Sequence, residues 1–478
     1  MVFYRFRPAD ALLDRFQELE RQEIYFATPK ELNDPLEGFK DLVWTGDRIL
    51  WGNLLRHYLL CLTHAVMGAL ISGPDHTFGE METFVFANES LLPTPEYGQV
   101  YRRICEDFFK HEDAAALPEL LAGRGSPIRR DELTTYLRLL HLHALNTVLI
   151  CMEEAALLPP RPADDPLRAA SKKPIAVRAI IEALKGHERE YPDKPDIAEV
   201  ISRAYEIVAI QQDLISEYNG ISLKRGVAWK ALISEFPKRH VHALEQLLYH
   251  DWYTACFVAD PTDAAMWGNY GDGHQGICLI FKPTANTNGK QALSLRQICG
   301  WSGNKVSSGP VYGDMPHEFQ QVEYNSQFIE VNFFRSLGRL SMPMLNSWYR
   351  DAIGTPSASV ADILSESASW RKHYWEQQMT AITTKLADWA HEKEFRLTLT
   401  GSSDFSDQST RKLQYHFSNL QGIIFGMNTT PRDKLRIMKI IEEKCRKEGR
   451  IDFEFHQAHY SRRTGKMEIT KMSLIKFA

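Results

Sequence analysis

The chain has 478 residues, of which 44% are hydrophobic and 24% are charged, enough for a large core or for two to three subdomains. A net charge of −5 gives no overall basic field, so the composition does not support a nucleic-acid partner. The seven cysteines show no paired spacing and no secretory signal precedes them, which predicts reduced thiols in a cytoplasmic protein.

The N-terminal segment predicts a strand, a helix and a second strand. In Phe3-Tyr4-Arg5-Phe6, the alternation places Tyr4 on one face of a strand and Arg5 on the other. A helix is predicted to begin at Pro8 and to lead into the strand Ile24-Tyr25-Phe26, beside the first one. Arg5 is therefore expected to project from a strand rather than from a loop.

A turn with acidic side chains follows the second predicted strand. Thr28-Pro29-Lys30-Glu31 has the pattern of a capping box with proline in the first helical turn. In Asn33-Asp34-Pro35 the proline disfavours helical backbone at Asp34, so the chain should turn and bring Asp34 close to Glu37. Polar turns occur with and without a chemical role, so this pattern alone leaves both interpretations open.

The middle of the chain is predicted to be helical. Residues 47–244 form a mainly helical insertion in this interpretation, and residues 1–46 and 245–478 form one mixed α/β domain around it. The most apolar stretch, Tyr58 to Ser72, has about fifteen residues, fewer than the roughly twenty that span a bilayer. We expect a buried element there and no association with a membrane.

Strand patterns return in the C-terminal part, on either side of a short aromatic helix. Tyr253 to Val258 and Gly276 to Phe281 are predicted strands. The helix between them carries Met266, Trp267 and Tyr270 at helical spacing. Large apolar residues within one helical turn usually face a core, which is the simpler interpretation of these three.

A later helix and strand are predicted to meet at Glu392-Lys393-Glu394. The helix covers Ser369 to Glu392 and the strand covers Phe395 to Thr400. Near the C terminus, Thr430 is predicted to cap a helix that ends near Gly449. The two terminal parts of the chain together predict an α+β fold.

The sequence lacks the patterns that identify metal sites and common catalytic loops. Three close pairs of potential ligands occur: Cys61 and His64, His141 and His143, and His240 and His242. None of them matches the spacing of a four-ligand zinc site. Neither a P-loop nor a Gly-x-Ser-x-Gly nucleophile elbow is present. No metal cofactor is therefore expected.

Four short motifs together resemble a known bacterial family. They are Tyr4-Arg5, Asn33-Asp34-Pro35-Leu36-Glu37, Met266-Trp267-Gly268-Asn269-Tyr270 and Glu392-Lys393-Glu394-Phe395-Arg396. In these motifs the chain is similar to the large bacterial family of domains of unknown function numbered twenty-nine seventy-one, with Leu32 where that family usually has phenylalanine. The resemblance leaves residues 47–244 unexplained and does not by itself indicate an activity.

A second resemblance concerns function. Arg5 on the first strand, Tyr25 on the second and Glu392-Lys393-Glu394 at a late strand are similar in layout to the ADP-ribosyltransferases. This resemblance implies a split-sheet core in which the arginine holds NAD, the aromatic ring stacks on nicotinamide and a glutamate contacts the ribose. The chain departs from that superfamily in the short spacing from Arg5 to Tyr25 and in the lack of a Ser-Thr-Ser run.

The residue types suit these implied roles. Loss of nicotinamide leaves a ribose with oxocarbenium character, which a carboxylate such as Glu394 stabilises. Tyr25 offers a face for a flat cationic ring, and Arg5 offers paired donors for a pyrophosphate. Glu392 is expected to orient the acceptor. We also expect Glu394→Gln to abolish nicotinamide release and to leave folding nearly unchanged.

We therefore predict one cleft that binds NAD as a co-substrate. The catalytic candidates are Glu394 and Glu392, and the binding candidates are Arg5, Tyr25, Tyr4, Asn33, Asp34, Glu37, Trp267 and Tyr270. The expected function is ADP-ribosyl transfer from NAD or NAD hydrolysis, in a bacterial defence or toxin effector. The acceptor stays open among a protein, a nucleic acid, a small molecule and water, and so does the oligomeric state.

Two alternatives stay open beside this prediction. One is a metal-dependent nuclease that uses Asp34, Glu37, Glu392 and Glu394 around a divalent ion, although Glu394 occupies the position where such sites usually have lysine. The other is a non-catalytic protein whose mixed domain senses a ligand and whose helical insertion passes the signal on. The response of the melting temperature to NAD or to divalent cations distinguishes these two alternatives from the NAD-dependent enzyme and from each other.

Overall fold

The computed structural model describes residues 1–73, 83–170, 175–191, 193, 197–220, 227–286, 288–304, 307–401 and 405–476. The chain divides into two compact units. The first comprises Met1–Phe39, His250–Phe328 and Met379–Ala478, and the second comprises Lys40–Tyr249 and Ile329–Gln378. The structure is mixed α and β with open sheets, consistent with the predicted α+β class.

The strands are numbered in chain order. They are β1 (Phe3–Arg7), β2 (Glu23–Tyr25), β3 (Asp41–Trp44), β4 (Ile128–Arg129), β5 (Trp252–Val258), β6 (Ile277–Phe281), β7 (Thr284–Ala285), β8 (Gln291–Asn304), β9 (Ser307–Glu318), β10 (Gln320–Gln321), β11 (Glu323–Asn325), β12 (Glu330–Asn332), β13 (Thr384–Leu386), β14 (Glu394–Thr400), β15 (Lys412–Tyr415), β16 (Leu420–Phe425), β17 (Glu454–Tyr460) and β18 (Met467–Lys471).

The boundaries of the two units differ from the predicted boundaries, chiefly at residues 329–378. These residues belong to the second unit, whereas the prediction placed them in the mixed domain with residues 245–478. The reason is pairing over a long separation: β3 pairs with β12 in parallel and with β4 in antiparallel. Trp44 also stacks on Phe333, with the ring centroids 5.5 Å apart. Contacts between segments so far apart leave no local pattern in the sequence.

The centre of the first unit is a large sheet with the strand order β10-β14-β5-β1-β6-β16-β17-β18. Its neighbouring strands are antiparallel, apart from the parallel pair β16 and β17. β1 pairs with β6 along its whole length, but it pairs with β5 only where Tyr4 lies opposite Val258. The sheet therefore opens between β1 and β5 beyond that pair.

A second sheet of the same unit has the order β2-β15-β8-β7, with β9 paired to β8. Ile24 and Leu413 of this sheet share a hydrophobic core with Phe257 of the large sheet. Just after β2, the backbones of Ala27 and Thr254 exchange hydrogen bonds of 2.8 and 2.9 Å. This exchange places the segment that follows β2 beside β5, next to the opening in the large sheet.

The helices of the first unit support these sheets. The helix Pro431–Glu448 begins where the Thr430 hydroxyl accepts a hydrogen bond from the Asp433 N–H and ends at Gly449, whose φ of 64° lies in the left-handed region that glycine favours. Both ends agree with the prediction. The predicted helix after Pro8 is instead two short helical segments, Ala11–Arg15 and Glu18–Arg21.

The second unit is built mainly from helices around one hydrophobic core. The helices are Arg48–Ser72, Pro95–Phe108, Glu112–Ala122, Arg130–Glu154, Pro166–Ala170, Val177–Glu190, Ile197–Tyr218, Val227–Lys230, Phe236–Ala243, Met342–Tyr349, Ala361–Ser365 and the first part of Ser367–Ile382. In the described part of the chain, Arg48–Ser72 is the one helix long and apolar enough to cross a membrane, and 67% of its most apolar window is buried. A helix that is apolar on all sides is also what a large core requires.

Candidate functional site

The opening between β1 and β5 contains a cavity of about 200 Å³. Residues of both strands line it, from Tyr4 to Arg7 on β1 and from Thr254 to Val258 on β5. The segment after β2 and the C-terminal end of the helix Ala264–Asn269 form further walls. The cavity thus lies where two central strands of one sheet stop pairing.

Most of the predicted site residues converge on this cavity. Those that line it are Tyr4, Arg5, Tyr25, Asn33, Tyr270, Glu392 and Glu394. They come from segments far apart in sequence, which the strand order of the large sheet brings together. The structure therefore gives these residues a shared location.

Three predicted binding residues do not line the cavity. Asp34 accepts a hydrogen bond of 2.9 Å from the Leu36 N–H and so fixes the turn in which it lies. Trp267 is fully buried, and its indole N–H donates to the Pro261 carbonyl at 2.7 Å. Glu37 is buried in ion pairs away from the cavity wall. Asp34 and Trp267 stabilise local structure, and Glu37 supports the site from outside the cavity.

Arg5 is a buried cation without a carboxylate partner in the described part of the chain. Its Nη2 donates to the Tyr25 carbonyl at 3.0 Å, and its guanidinium lies 5.3 Å from the centre of the Phe257 ring. Its Nη1 has no hydrogen-bond partner. Burial, together with the neighbouring charge of Arg7, lowers the pKa of Arg5 to about 10, so the group stays charged at neutral pH. A buried cation with an unused donor favours the binding of an anion.

Tyr25 is fixed at the cavity wall by two residues that the sequence did not single out as site residues. Its hydroxyl donates to Glu31 Oε1 at 2.9 Å, and Arg411 Nη1 lies 3.1 Å from Glu31 Oε2. The Arg411 guanidinium lies 5.3 Å from the centre of the Tyr25 ring. Glu31 also accepts the Thr28 N–H at 2.7 Å, as the capping box predicted. The sequence therefore predicted the capping role of Glu31 but not its second role, which is to hold Tyr25 at the cavity wall.

Lys385 forms the centre of a cluster of buried acids beside the cavity. Its Nζ lies 2.7 Å from Glu392 Oε2, 2.9 Å from Glu394 Oε2 and 3.5 Å from Glu37 Oε2. Burial alone would lower the pKa of this lysine, but the carboxylates outweigh burial and raise it above its usual value. Sequence reasoning missed Lys385, because a single lysine on the short strand β13 matches no motif.

Arg396 is the second cation of the cluster, and it is completely buried. Its Nε lies 2.9 Å from Glu394 Oε1, and its Nη1 lies 2.8 Å from Glu37 Oε1. Burial would raise the pKa of Glu394, but Arg396 and Lys385 outweigh it and lower the pKa to about 2. Glu394 is therefore ionised at any physiological pH.

This pairing corrects the expectation that Glu394→Gln would leave folding nearly unchanged. Glu394 is 3% exposed and is paired with two buried cations. Removal of its charge leaves Arg396 and Lys385 with fewer counter-charges in the core, which destabilises the folded state. In the motif Glu392-Lys393-Glu394-Phe395-Arg396, the arginine is thus the ion-pair partner of the second glutamate.

Tyr270 and Lys393 set the position of Glu392. Tyr270 directly follows the helix Ala264–Asn269, and its hydroxyl donates a hydrogen bond to Glu392 Oε1. Lys393 has a φ of 47°, a left-handed conformation that is strained for a residue with a side chain. Glu392 therefore ends a 3-10 segment and Glu394 begins β14, and the turn between them brings both carboxylates to Lys385.

Gly276 holds the loop that follows Tyr270 against β1, and its replacement by alanine is expected to be costly. A Cβ there would lie 2.6 Å from the Arg7 carbonyl oxygen and 2.8 Å from the Gly271 carbonyl oxygen. We expect Gly276→Ala to lower the free energy of unfolding by about 1–3 kcal/mol in urea denaturation. Gly268→Ala is the matched control, because a Cβ meets no atom within 4 Å there and the residue is helical. Equal stability of the two variants would contradict the expectation.

The charges of the site are arranged in two parts. The guanidinium of Arg5, which has no carboxylate partner in the described residues, lies on β1, and a cluster of three carboxylates and two cations lies at the start of β14. The cluster therefore carries one excess negative charge. Such a cavity suits a ligand with one anionic group and one centre that becomes positive during reaction.

Comparison of the chain with protein-family models, with curated proteins and with solved structures finds no match. The two family resemblances stay predictions. Arguments about function therefore depend on the chemistry of the cavity.

Proposed function

We propose that the first unit binds NAD in the cavity between β1 and β5 and cleaves the bond between nicotinamide and ribose. The observation that carries the proposal is the guanidinium of Arg5, whose Nη1 has no hydrogen-bond partner, in the same cavity as the carboxylates of Glu392 and Glu394. A dinucleotide has the matching features, since its pyrophosphate is anionic and its ribose becomes cationic when nicotinamide leaves.

The reaction that fits this cavity begins with cleavage of the C–N glycosidic bond. The bonding electron pair leaves with nicotinamide, and C1 of the ribose gains oxocarbenium character. The carboxylates of Glu392 and Glu394 stabilise that positive charge, and they are held in place before the reaction by Tyr270, Lys385 and Arg396. Water or the hydroxyl or amine of an acceptor then attacks C1 and releases one proton to solvent, which gives hydrolysis or ADP-ribosyl transfer.

The size of the cavity sets which part of NAD it holds. Its volume of about 200 Å³ is below the roughly 300–1,000 Å³ of pockets that enclose a drug-sized ligand. The nicotinamide and its ribose therefore occupy the cavity in this proposal, with the pyrophosphate at Arg5 and the adenosine outside. Arg411 already lies over the Tyr25 ring, so the ligand contacts the ring through its other face or its edge.

The metal-dependent nuclease fits the site less well. A divalent ion would have to be held by Glu37, Glu392 and Glu394, but the ammonium of Lys385 already lies among these carboxylates, at 2.7 to 3.5 Å. The position that a metal ion would take between these carboxylates is therefore occupied by the ammonium group of Lys385. The carboxylate of Asp34, the fourth expected ligand, instead accepts a hydrogen bond from the Leu36 N–H within its own turn.

The proposal is tested by incubating the purified full-length chain with NAD labelled in the nicotinamide ring and measuring free nicotinamide. A parallel incubation with NAD labelled in the adenosine, followed by detection of labelled ADP-ribose on protein, nucleic acid or small-molecule acceptors, separates transfer from hydrolysis. A rise of the melting temperature with NAD reports binding independently of turnover. If NAD is neither bound nor cleaved, and magnesium and manganese also have no effect, a non-catalytic role is favoured.

Arg5→Met is expected to weaken NAD binding at least tenfold, because it removes the unpaired donor that would hold the pyrophosphate. The folded chain should tolerate the change, since a buried cation without a carboxylate partner is replaced by an apolar side chain of similar length. Isothermal titration with NAD measures the affinity, and the melting temperature measures the stability.

Arg7→Met is the matched control for this variant. Arg7 lies on the same strand, but its Nε donates to Glu18 Oε2 at 2.7 Å and its guanidinium is already paired. Its loss should lower stability and change NAD affinity less than Arg5→Met. An Arg5→Met variant that binds NAD as tightly as the unmodified chain would refute the role of Arg5.

A further inference from the structure

The second unit contains a buried cluster of metal-ligating side chains. His57 and Cys61 lie one turn apart on the helix Arg48–Ser72, and His240 lies on the helix Phe236–Ala243. One potential ligand atom from each residue lies within 4.8 Å of the others, and all three residues are buried. Cys61 and His240 belong to two sequence pairs that do not match a zinc site, but the fold brings them together with His57.

His240 has unsatisfied hydrogen-bonding groups in this cluster. It is fully buried, and neither of its ring nitrogens has a hydrogen-bond partner. A neutral imidazole has one N–H donor and one lone pair, and burying both without partners is unfavourable. A bound metal ion would use the lone pair, so this orphaned side chain is an independent indication of a ligand.

His57 has the hydrogen bond that is typical of metal-ligating histidines. Its Nε2 lies 2.8 Å from the Val85 carbonyl oxygen, which can only accept, so Nε2 carries the proton and Nδ1 carries the lone pair. Cys61 Sγ lies 3.8 Å from Nδ1 and 3.7 Å from Nε2. Two ligands of one tetrahedral ion, with bonds of about 2.1 and 2.3 Å, lie about 3.6 Å apart. The Nδ1–Sγ distance is therefore close to that of two ligands of one ion, and a side-chain rotation would aim the Nδ1 lone pair at that ion, since Sγ lies equally near Nε2.

We propose that His57, Cys61 and His240 bind one soft metal ion of filled d shell, Zn²⁺ or Cu⁺. Thiolate and imidazole are the ligands that such ions prefer. With Cu⁺ the Cys61 thiolate makes the site neutral, which suits its burial; with Zn²⁺ one positive charge remains and a fourth ligand is required. On binding, the Sγ–H bond of Cys61 breaks, its proton goes to solvent and the sulfur binds the metal.

A cavity borders the cluster on the side of His57. His57 lines a cavity of about 590 Å³ whose wall also includes Asn53, Tyr101 and Trp348. Cys61 and His240 do not line this cavity, so the ion would reach them past His57. The two helices that supply the ligands would then be joined by the metal.

The test is metal binding by the purified full-length chain under reducing, oxygen-free conditions. Zn²⁺ and Cu⁺ are titrated separately against competing chelators, which also shows which ion the site prefers. We expect one ion per chain for the preferred metal and a rise of several degrees in the melting temperature. Cys61→Ser and His240→Gln should each weaken affinity at least a hundredfold. Cys151→Ser should bind normally, because Cys151 is a buried cysteine of the same unit that belongs neither to the cluster nor to the wall of the cavity that His57 lines.

Co²⁺ provides a readout that does not depend on the stability of the variants. Thiolate coordination gives an intense near-ultraviolet charge-transfer band, which should appear with the unmodified chain and with Cys151→Ser and be lost in Cys61→Ser. If a ligand variant does not fold, the band of the unmodified chain still decides. Failure to bind any of the three ions, or binding of Co²⁺ without a thiolate band, would overturn the proposal.

Discussion

Arg396→Met is expected to destabilise the first unit by roughly 3–5 kcal/mol, which is the cost of removing one partner of a buried ion pair. Arg396 is completely buried and contacts both Glu394 and Glu37. Without it, three carboxylates share the single cation Lys385 in an environment that penalises unpaired charge. Urea denaturation measures the loss of stability, and hydrogen exchange in β13 and β14 locates it, because Lys385 lies on β13 and Glu394 and Arg396 lie on β14.

Arg102→Met is the matched control, because it removes the same charge from an exposed pair. The Arg102 side chain is 56% exposed and pairs with Glu89 at the surface. Pairs of this kind contribute about 0–1 kcal/mol. If Arg396→Met costs no more than Arg102→Met, the buried cluster does not stabilise the fold, and the assigned geometry of Glu394 would be in doubt.

Local signals in the sequence predicted local structure well. Thr430 and Gly449 mark the two ends of a helix because a hydroxyl cap and a left-handed glycine act within one turn of the chain. β1 was predicted from the alternation in Phe3 to Phe6 and extends to Arg7. The boundary between the two units was harder to predict from the sequence, because it depends on β3 pairing with β12 across nearly the whole second unit.

The site shows the same distinction between local and long-range information. Trp267 and Tyr270 were both proposed from one motif, but Trp267 turns into the core and only Tyr270 reaches the cavity. The sequence contains no information on which way each ring faces. Lys385 lies among the acids because β13, β14 and the turn at Glu37 meet in three dimensions, and no spacing in the chain encodes that meeting.

Glu394→Gln is expected to reduce the rate of nicotinamide release per folded molecule on the order of a hundredfold or more. The carboxylate lines the cavity and is ionised, so it acts most strongly when positive charge develops on the ribose. NAD affinity should change little, because the pyrophosphate is held by Arg5 in this proposal. Glu392→Gln should impair transfer to an acceptor more than hydrolysis. Single-turnover release of nicotinamide, corrected for the folded fraction, gives the rate.

Glu37→Gln separates this chemical effect from damage to the fold. Glu37 pairs with the same two cations, Lys385 and Arg396, but does not line the cavity. The two glutamine variants therefore remove the same charge from the same cluster, one at the cavity wall and one away from it. Both should lower the melting temperature, but only Glu394→Gln should lose turnover per folded molecule. Equal losses of turnover would mean that the carboxylates act by maintaining the cluster, and the assignment of Glu394 to the ribose would fail.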